Sequence, residues 1–333
     1  MKSSDVTISD IAARANVSKS TVSRVLNDKA VVNKQTREAV LKAAKDLGYE
    51  ANLFARGLAV GRSMTVGVVT QNIGSPYYDA LMQGTIRGFT DTGYSPLFVD
   101  GQWESTKEQE VIKTLLGRKV DGLLLLGGNL PKDQLKELKE RLPTIIVGME
   151  LEGWEKRCVY CDNVGAAFDA TQHLIDLGHR RIALIKGMEH HQDTIRREAG
   201  YRKALQEAGI ELDEELILDG DFSPQSGVMG INTLLMRATT FTAVFCANDS
   251  VAYGARLALN RKGIRVPEEV SVIGFDDQAE SAYVTPPLTT IRQPANEMGV
   301  AAAKGLVELM QGGECDLPVF QATLQKRESA ARA

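Results

Sequence analysis

The chain has 333 residues, of which 43% are hydrophobic and 25% are charged, and its formal net charge at pH 7 is −4. This composition is typical of a globular protein long enough for two or three domains. It contains no apolar run of about 18 residues that would span a membrane. Asp5 and Asp10 interrupt the N-terminus where a secretory signal needs an apolar core. We therefore expect a cytoplasmic protein with no membrane partner.

The charge is divided unevenly along the chain. Residues 1–62 carry eleven Lys or Arg and six Asp or Glu, a net charge of +5, which leaves −9 for the remainder. A small basic segment attached to an acidic body indicates that one end binds a polyanion, although a solvated basic face would give the same charge.

The first predicted helix begins near the N-terminus. Thr7 and Asp10 have the spacing of a capping box, in which the N-cap and the residue three positions later hydrogen bond to each other. The helix continues through Ala15, and Asn16 is predicted to end it, because asparagine tolerates the left-handed backbone conformation of a tight turn.

Two further helices follow at short spacing. Ser18 is placed to cap a second helix, Lys19 to Leu26, and the short turn before it is typical of a helix-turn-helix. A third helix, Lys34 to Leu47, has apolar residues at helical spacing and supplies a surface for the other two. Spacing alone leaves two interpretations open: a small helical domain with a solvated face, or a helix that enters the DNA major groove.

The run ISDIAARANVSKSTVSRVLN resembles the DNA-binding head of the lactose-repressor and galactose-repressor family of bacterial transcriptional regulators. The resemblance implies that Lys19 and Ser20 choose bases with help from Arg24. It also implies a set of phosphate contacts made by Ser18, Thr21, Ser23, Asn27 and Thr36. We add Thr7 to the residues expected at the DNA.

Residues 51–63 connect this head, residues 1–50, to the rest of the chain. A plain linker is one interpretation, because a helix this short is marginal and Gly57 weakens it further. The run NLFARGLA also resembles the family's hinge helix, which forms on DNA. By that resemblance Leu58 is an apolar wedge in the minor groove, with Asn52, Ala55 and Arg56 packed alongside.

From residue 64 the pattern changes to apolar strands alternating with amphipathic helices, beginning with TVGVV, SPLFVD and DGLLLLG. Such strands indicate parallel sheets buried on both faces. We predict an α/β domain, residues 64–333, made of two doubly wound parallel-sheet subdomains. The resemblance to the family implies that this is an effector-binding and dimerisation domain of periplasmic-binding-protein-like type. The first subdomain would span about 64–160 plus 292–325, and the second about 161–291.

A ligand of such a domain would sit at the carboxyl ends of the strands. The residues there are mostly amides and carboxylates, among them Asn248, Asp249, Asp276 and Asp277. No G-x-G-x-x-G follows the first strand, and neither a nucleotide-binding P-loop nor a recognisable catalytic motif is present. We therefore expect no enzyme and no cofactor or metal.

Motifs such as SPYYDALMQGTIRGF, TAVFCANDSVAYGA and VPEEVSVIGFDD resemble the bodies of the same family, which are similar in fold to periplasmic sugar-binding proteins. The resemblance implies that Arg197 grips an effector, that Asn248 and Asp276 bond its hydroxyl groups, and that Phe222 stacks on it. The N-terminal side of the site would be lined by Asn72, Tyr77 and Tyr78.

The expected function is a repressor of carbohydrate-utilisation genes that a sugar releases from a pseudo-palindromic operator. A purine-responsive repressor is the alternative, and a sugar-binding transport receptor fits only the body. Gly148 and Met149 depart from the family's polar pattern, which leaves the sugar unidentified. Because only AARA follows LQKRES, too short for a tetramerising heptad tail, we expect a homodimer.

The sequence predicts no catalytic or metal-binding role for the cysteines and for one pair of histidines. Cys158 and Cys161 have C-x-x-C spacing but lie in a strand-like run, so we predict buried thiols and no metal or redox site. His190 and His191 are predicted to be an exposed loop pair, with ligand contact as the alternative.

Overall fold

The computed structural model describes residues 6–26, 32–49 and 62–333. The chain divides into two compact units, Met1–Thr65 and Val66–Ala333. The first unit contains the helices α1 (Ile8–Ala15), α2 (Lys19–Leu26) and α3 (Lys34–Asp46). The three predicted helices of the head are therefore confirmed, with α3 one residue shorter than predicted.

The ends of α1 have the predicted chemistry. The Asp10 carboxylate accepts hydrogen bonds from the backbone N–H of Thr7 at 2.8 Å and from its hydroxyl at 2.6 Å. Asn16 has φ 52° and ψ 48°, which is the left-handed conformation that ends a helix.

A small apolar core holds the three helices together. Ile11, Val22 and Val40, one from each helix, are completely buried, and they pack within one cluster. Because so small a module has few other apolar contacts, these side chains account for much of its stability.

The second unit contains two six-stranded sheets within its described residues. The strands are β1 (Thr65–Thr70), β2 (Ser95–Asp100), β3 (Gly122–Leu126), β4 (Thr144–Val147), β5 (Cys158–Cys161), β6 (Ile182–Ile185), β7 (Ile217–Leu218), β8 (Ala243–Cys246), β9 (Ser271–Asp276), β10 (Thr289–Arg292), β11 (Val319–Phe320) and β12 (Thr323–Gln325). The first sheet has the order β11-β5-β4-β3-β1-β2, and the second has the order β12-β10-β9-β8-β6-β7.

Helices cover the sheets, and we name the two resulting halves. The N-half is the first sheet with α4 (Pro76–Phe89), α5 (Ser105–Gly117), α6 (Lys132–Arg141) and α11 (Ala295–Met310). The C-half is the second sheet with α7 (Asn163–Asp176), α8 (Gln192–Glu207), α9 (Pro224–Met236) and α10 (Asp249–Arg261). The chain passes between the halves after β5, after β10 and after β11.

Parallel pairing and two-sided burial confirm the predicted α/β class. Strands β3 and β4 pair in parallel, as do β8 and β9, whereas β12 runs antiparallel to β10. Within β6, Ala183 and Ile185 pack in one core cluster while Ile182 and Leu184 pack in another. Alternate residues of a strand point to opposite faces, so both faces of this sheet are covered by helices.

The strands predicted from the runs TVGVV, SPLFVD and DGLLLLG are present as β1, β2 and β3. Strands β7, β11 and β12 were not predicted, because each has only two or three residues. Across the described ranges, no helix combines the length and apolar character needed to span a membrane.

Candidate functional site

Helix α2 has one buried and one exposed face. Val22 and Val25 are buried in the head, whereas Lys19, Ser20 and Arg24 are exposed. The helix can therefore be held in place by one face while the other contacts a ligand.

A cluster of hydroxyl groups lies at the N-terminus of α2. The Ser18 Oγ accepts a hydrogen bond from the backbone N–H of Thr21 at 3.1 Å, and it lies 2.8 Å from the hydroxyls of both Ser20 and Thr21. A helix N-terminus with free N–H groups and hydroxyls suits phosphate oxygens, because the helix dipole and the donors both favour an anion.

In the second unit, a cavity of about 380 Å³ lies in the crevice between the N-half and the C-half. Its walls include all seven residues predicted to bind an effector: Asn72, Tyr77, Tyr78, Arg197, Phe222, Asn248 and Asp276. The first three come from the N-half and the other four from the C-half, so a molecule in this cavity would contact both halves.

Arg197 is fixed at the floor of the cavity. Its Nε donates to Asn163 Oδ1 at 2.8 Å, and its Nη1 donates to the carbonyl oxygen of Ala247 at 2.5 Å. The guanidinium also lies 3.7 Å from the centre of the Phe275 ring, and only 4% of the residue is exposed. Because the planar guanidinium packs on this ring and donates these two hydrogen bonds, its remaining N–H groups have a fixed orientation.

Two carboxylates face this guanidinium. Arg197 Nη2 lies 3.6 Å from Asp193 Oδ2 and 3.9 Å from Asp276 Oδ1. Burial raises the pKa of Asp276 to about 6, although the positive charge of Arg197 and a hydrogen bond from Gln293 oppose the increase. Burial likewise raises the pKa of Tyr77 well above its ordinary value, so its hydroxyl stays protonated.

Phe222 forms a rigid wall of the cavity. Its φ of 66° lies in the left-handed region, and its ring occupies the space where a side chain on Gly187 would lie. The Asn248 Nδ2 donates to the Phe222 carbonyl oxygen at 3.1 Å, while Asn248 Oδ1 caps α10 by accepting from Val251 N–H at 2.9 Å. Asn248 thus positions the aromatic wall and retains one N–H for a ligand.

Aromatic rings continue across the crevice. Trp103 of the N-half packs edge to face against His191 of the C-half, with ring centroids 4.4 Å apart, and His191 packs against Phe222 at 5.2 Å. Burial lowers the pKa of His191 below its ordinary value, which favours the neutral imidazole.

Comparison with known proteins accounts for both parts of the chain. Residues 7–52 match bacterial regulatory proteins of the lacI family, and residues 171–330 match the periplasmic binding protein-like domain. The HTH-type transcriptional regulator AscG of Escherichia coli strain K12 is 34% identical over 328 residues, which are 97% of this chain and 98% of that protein. This chain belongs to the lacI family.

Solved structures of lacI-family proteins resemble this chain along almost its whole length. The transcriptional regulator CelR in complex with cellobiose is 36% identical with a TM-score of 0.74, over 97% of this chain and 99% of that one. The lac repressor dimer bound to operator and the anti-inducer ONPF is 28% identical with a TM-score of 0.88, over 98% of this chain and 99% of that one.

In this lacI-family chain, the residues expected at DNA have different environments. Thr7, Ser18, Lys19, Ser20 and Arg24 are exposed, and Thr21, Ser23 and Thr36 are half-buried. Five others lie outside the described residues: Asn27, Asn52, Ala55, Arg56 and Leu58.

Three sequence interpretations need correction. His191 is not an exposed loop residue, because it caps α8 and lines the cavity, whereas His190 is exposed. Asp249 is completely buried and accepts hydrogen bonds from Gln278 N–H and from the hydroxyls of Ser281 and Thr290. Its carboxylate stabilises the fold and does not line the cavity.

Asp277 also turns away from the cavity. Its carboxylate pairs with Arg292 and Arg327, each at 2.6 Å. Trp103, by contrast, was missed by sequence reasoning, although it follows β2 in GQWES at the edge where a ligand was expected.

The four cysteines are free and buried, which confirms the prediction for their thiols. Burial raises the pKa of Cys158 to about 11 and that of Cys161 to about 12, so neither is a ready nucleophile. No group of three or more His, Cys, Asp or Glu suited to a metal ion occurs in residues 6–26, 32–49 and 62–333.

Proposed function

We propose that this protein is a sequence-specific repressor of carbohydrate-utilisation genes and that a sugar bound in the crevice releases it from its operator. The observation that carries the proposal is the 380 Å³ cavity, in which a buried guanidinium, a carboxylate and amides face aromatic rings. The CelR structure, which contains cellobiose, supports a sugar as the class of effector.

The chemistry of the cavity suits a sugar in particular. Arg197 and Asp276 offer a donor and an acceptor side by side, and such pairs match the vicinal hydroxyls of a sugar ring. Phe222 offers an apolar face for the C–H side of the ring. A purine would also stack on Phe222, so a purine-responsive repressor remains the competing function that the experiment below tests.

The head supplies the proposed DNA contacts. Lys19, Ser20 and Arg24 project from α2 and would meet base edges in a major groove. The hydroxyl cluster of Ser18 and Thr21 would hold phosphate oxygens, as would Ser23, Asn27 and Thr36. The hinge contacts of Asn52, Ala55 and Leu58 are proposed from the sequence alone, with residues 51–63 as the hinge.

A homodimer is proposed as the active form. Leu257 and Tyr283 of the C-half are 44% and 87% exposed, and Ile86 of the N-half is 50% exposed. Large apolar side chains exposed on both halves suit a surface shared with a second copy. The similar lac repressor binds its operator as a dimer, which would place two α2 helices on two half-sites.

Effector and operator would be coupled through the two halves. A sugar that contacts both halves favours one relative arrangement of them, and the head directly precedes the N-half in the chain. A coupling free energy of about 1–3 kcal/mol would change operator affinity by roughly 5- to 150-fold. The protein would act on DNA in the cytoplasm, and it would bind the sugar without converting it.

The test is a titration of the protein–operator complex with sugars and with purines. Operator fragments selected from genomic DNA by the purified protein would be followed by fluorescence anisotropy at fixed salt, because phosphate contacts make affinity depend on ionic strength. Release by a sugar is the expected result. A purine that raises operator affinity while sugars have no effect would refute the proposal, and mass spectrometry of the recovered sugar would detect any conversion.

A further inference from the structure

The turn GQW, residues 101–103, directly follows β2 and has an unusual backbone. Gln102 and Trp103 have φ of 54° and 58°, so two consecutive residues with side chains adopt the left-handed conformation. This conformation costs free energy for residues other than glycine, and it persists only where the surroundings hold it. Because the turn places the Trp103 indole in the crevice, the groups that hold the turn also determine where the indole lies.

Side chains from two other segments hold both polar backbone groups of Trp103. Its N–H donates to Gln71 Oε1 at 3.0 Å, and its carbonyl oxygen accepts from Asn129 Nδ2 at 2.9 Å. Gln71 directly follows β1, and Asn129 lies in the loop after β3. Because both groups of the Trp103 backbone are fixed, the direction in which its side chain enters the crevice is fixed as well.

The amide of Gln71 has little reason to be buried other than its bond to Trp103. Only 1% of Gln71 is exposed. The Trp103 N–H determines the orientation of the amide, since the opposite orientation would place two donors against each other. In this orientation Gln71 Nε2 is buried without a hydrogen-bond partner among the described residues. A buried donor without a partner destabilises the fold, so stability alone does not account for glutamine at this position.

Glu108 of α5 supports the same turn through Asn129. Its carboxylate is 1% exposed and accepts from the Asn129 N–H, at 2.8 Å for Oε1 and 3.2 Å for Oε2. Burial raises the pKa of Glu108, and the hydrogen bond from Asn129 opposes the increase. A Cβ on Gly128 would lie 2.7 Å from Glu108 Oε2 and 3.2 Å from Gln71 Nε2, so both side chains lie against the backbone of this glycine.

Gln71 and Glu108 do not line the 380 Å³ cavity, whereas Trp103 does. Their effect on a ligand there must therefore pass through the residues that they hold. The Trp103 ring packs edge to face on Tyr78 of the N-half and on His191 of the C-half, with centroids 5.9 Å and 4.4 Å away. A shift of the indole would alter both contacts and the shape of this wall of the cavity.

We propose that Gln71 and Glu108 are positioning residues for Trp103 and that, through the indole, they determine which effectors the crevice accepts. Gln71 holds the Trp103 N–H directly, and Glu108 acts through Asn129. The effect on effector selection rests on the proposed function, whereas the position of the indole does not depend on any ligand. The two effects therefore have separate tests.

Fluorescence of the full-length protein tests the position of the indole. In a Trp154→Phe background Trp103 is the remaining tryptophan, so acrylamide quenching reports its exposure. Gln71→Met keeps the length of the side chain but removes the acceptor, and it should raise the quenching constant about twofold, because the turn is no longer held. Gln109→Met, on the exposed side of α5, is the matched control and should leave quenching unchanged. Equal quenching in the two variants would overturn the inference.

Two substitutions of Glu108 separate its hydrogen bond from its charge. Glu108→Leu removes the acceptor for the Asn129 N–H and should increase the quenching of Trp103. Glu108→Gln keeps an oxygen acceptor and should retain the quenching of the unmodified protein. If Glu108→Leu does not fold, as judged by circular dichroism, Asn129→Ala removes the same support from an exposed position and should increase quenching. The same increase in Glu108→Gln as in Glu108→Leu would contradict a role through this hydrogen bond.

Calorimetry with D-glucose, D-galactose, D-mannose and cellobiose tests effector selection. For a sugar that binds, Gln71→Met should lower affinity about tenfold, because the indole no longer fits the ligand, while Gln109→Met leaves it unchanged. In a Trp103→Ala background, Gln71→Met should have no further effect, since its effect passes through the indole. A loss of the same size in that background would refute this route.

The failure of this inference differs from the failure of the proposed function. If sugars bind and release DNA with the same affinity in Gln71→Met as in the unmodified protein, the repressor function stands and selection through Gln71 is wrong. If Gln71→Met increases quenching of Trp103 but no sugar binds or alters operator affinity, the indole is positioned as proposed. In that case the proposed function fails, and effector selection fails with it.

Discussion

The indole of Trp103 and the imidazole of His191 meet edge to face in the crevice, with ring centroids 4.4 Å apart and an angle of 67° between their planes. Trp103 follows β2 in the N-half, and His191 is the N-cap of α8 in the C-half. The pair therefore joins the two halves beside the proposed sugar site. Its environment should change whenever a ligand enters the cavity.

Tryptophan fluorescence should report effector binding. The chain has two tryptophans, Trp103 in the crevice wall and Trp154, which is 5% exposed in an apolar cluster of the N-half. A bound sugar should change the emission of Trp103 because it alters contact of the indole with solvent. The signal should persist in Trp154→Phe and disappear in Trp103→Phe. A ligand signal lost in Trp154→Phe instead would show that the ligand acts elsewhere.

Effector affinity should depend on pH through Asp276. Burial raises the pKa of this carboxyl to about 6, so it is ionised above pH 6 and protonated below it. If the ionised form accepts hydroxyl hydrogen bonds, affinity should be full above pH 6 and fall by up to about tenfold for each pH unit below it. Calorimetry between pH 5 and 8 would measure this dependence.

The variant Asp276→Asn distinguishes the contribution of this carboxyl to the pH dependence from that of its neighbours. Asp193 and Arg197 face it, and His191 lines the same cavity. The variant should bind the effector more weakly at pH 7.5 and lose the decline between pH 6 and pH 5. A decline that persists unchanged in Asp276→Asn would assign the titration to another of these groups.

Gly187→Ala should impair the effector site without affecting the DNA-binding head. A Cβ at Gly187 would overlap the Phe222 ring, so the ring must move. We expect affinity for the effector to fall at least tenfold, because the aromatic wall no longer fits the ligand. Operator affinity without effector should stay unchanged when measured by anisotropy.

Gly117→Ala is a suitable control for this change. Gly117 ends α5, and a Cβ there would meet no atom within 4 Å. It should leave effector affinity intact and can stabilise the helix, since alanine has the higher helix propensity. Equal losses in the two variants would show that the Gly187 effect is not specific to Phe222.

Helix starts, buried strands and some residues of the crevice are predictable from the sequence. Thr7 and Asp10 determine a helix start through local hydrogen bonds, and runs such as GLLLL in β3 specify a buried strand, so both were predictable. Asn72, just beyond β1, and Asp276, the last residue of β9, were expected in the crevice because parallel strands end at one edge.

Contacts between the two halves could not be predicted in the same way. Trp103 packs on His191, although the two residues are 88 positions apart and belong to different halves. The spacing of apolar residues along the chain does not indicate how the two halves face each other. Asp249 and Asp277 are the opposite case, because the sequence placed them at the ligand site and the structure does not. Both follow strands as a ligand-binding carboxylate would, but tertiary hydrogen bonds or ion pairs direct them inward.

Val22→Ala should destabilise the head and thereby weaken binding to every DNA sequence. Val22 is completely buried between the three helices, and deletion of its two methyl groups should cost about 2 kcal/mol. Limited proteolysis of the full-length chain would measure the loss as faster cleavage within the head. Affinity should fall by a similar factor for the selected operator and for unrelated DNA.

Lys19→Ala should have the opposite pattern, because Lys19 is exposed on the same helix and lies outside the core of the head. The rate of proteolysis should match that of the unmodified protein. At the base that Lys19 reads, discrimination between the operator and a site with one substituted base pair should fall about tenfold. Anisotropy with a set of singly substituted operators would locate that base. If Lys19→Ala lowers affinity equally for all of them, Lys19 contacts a phosphate and the reading of bases falls to Ser20 and Arg24.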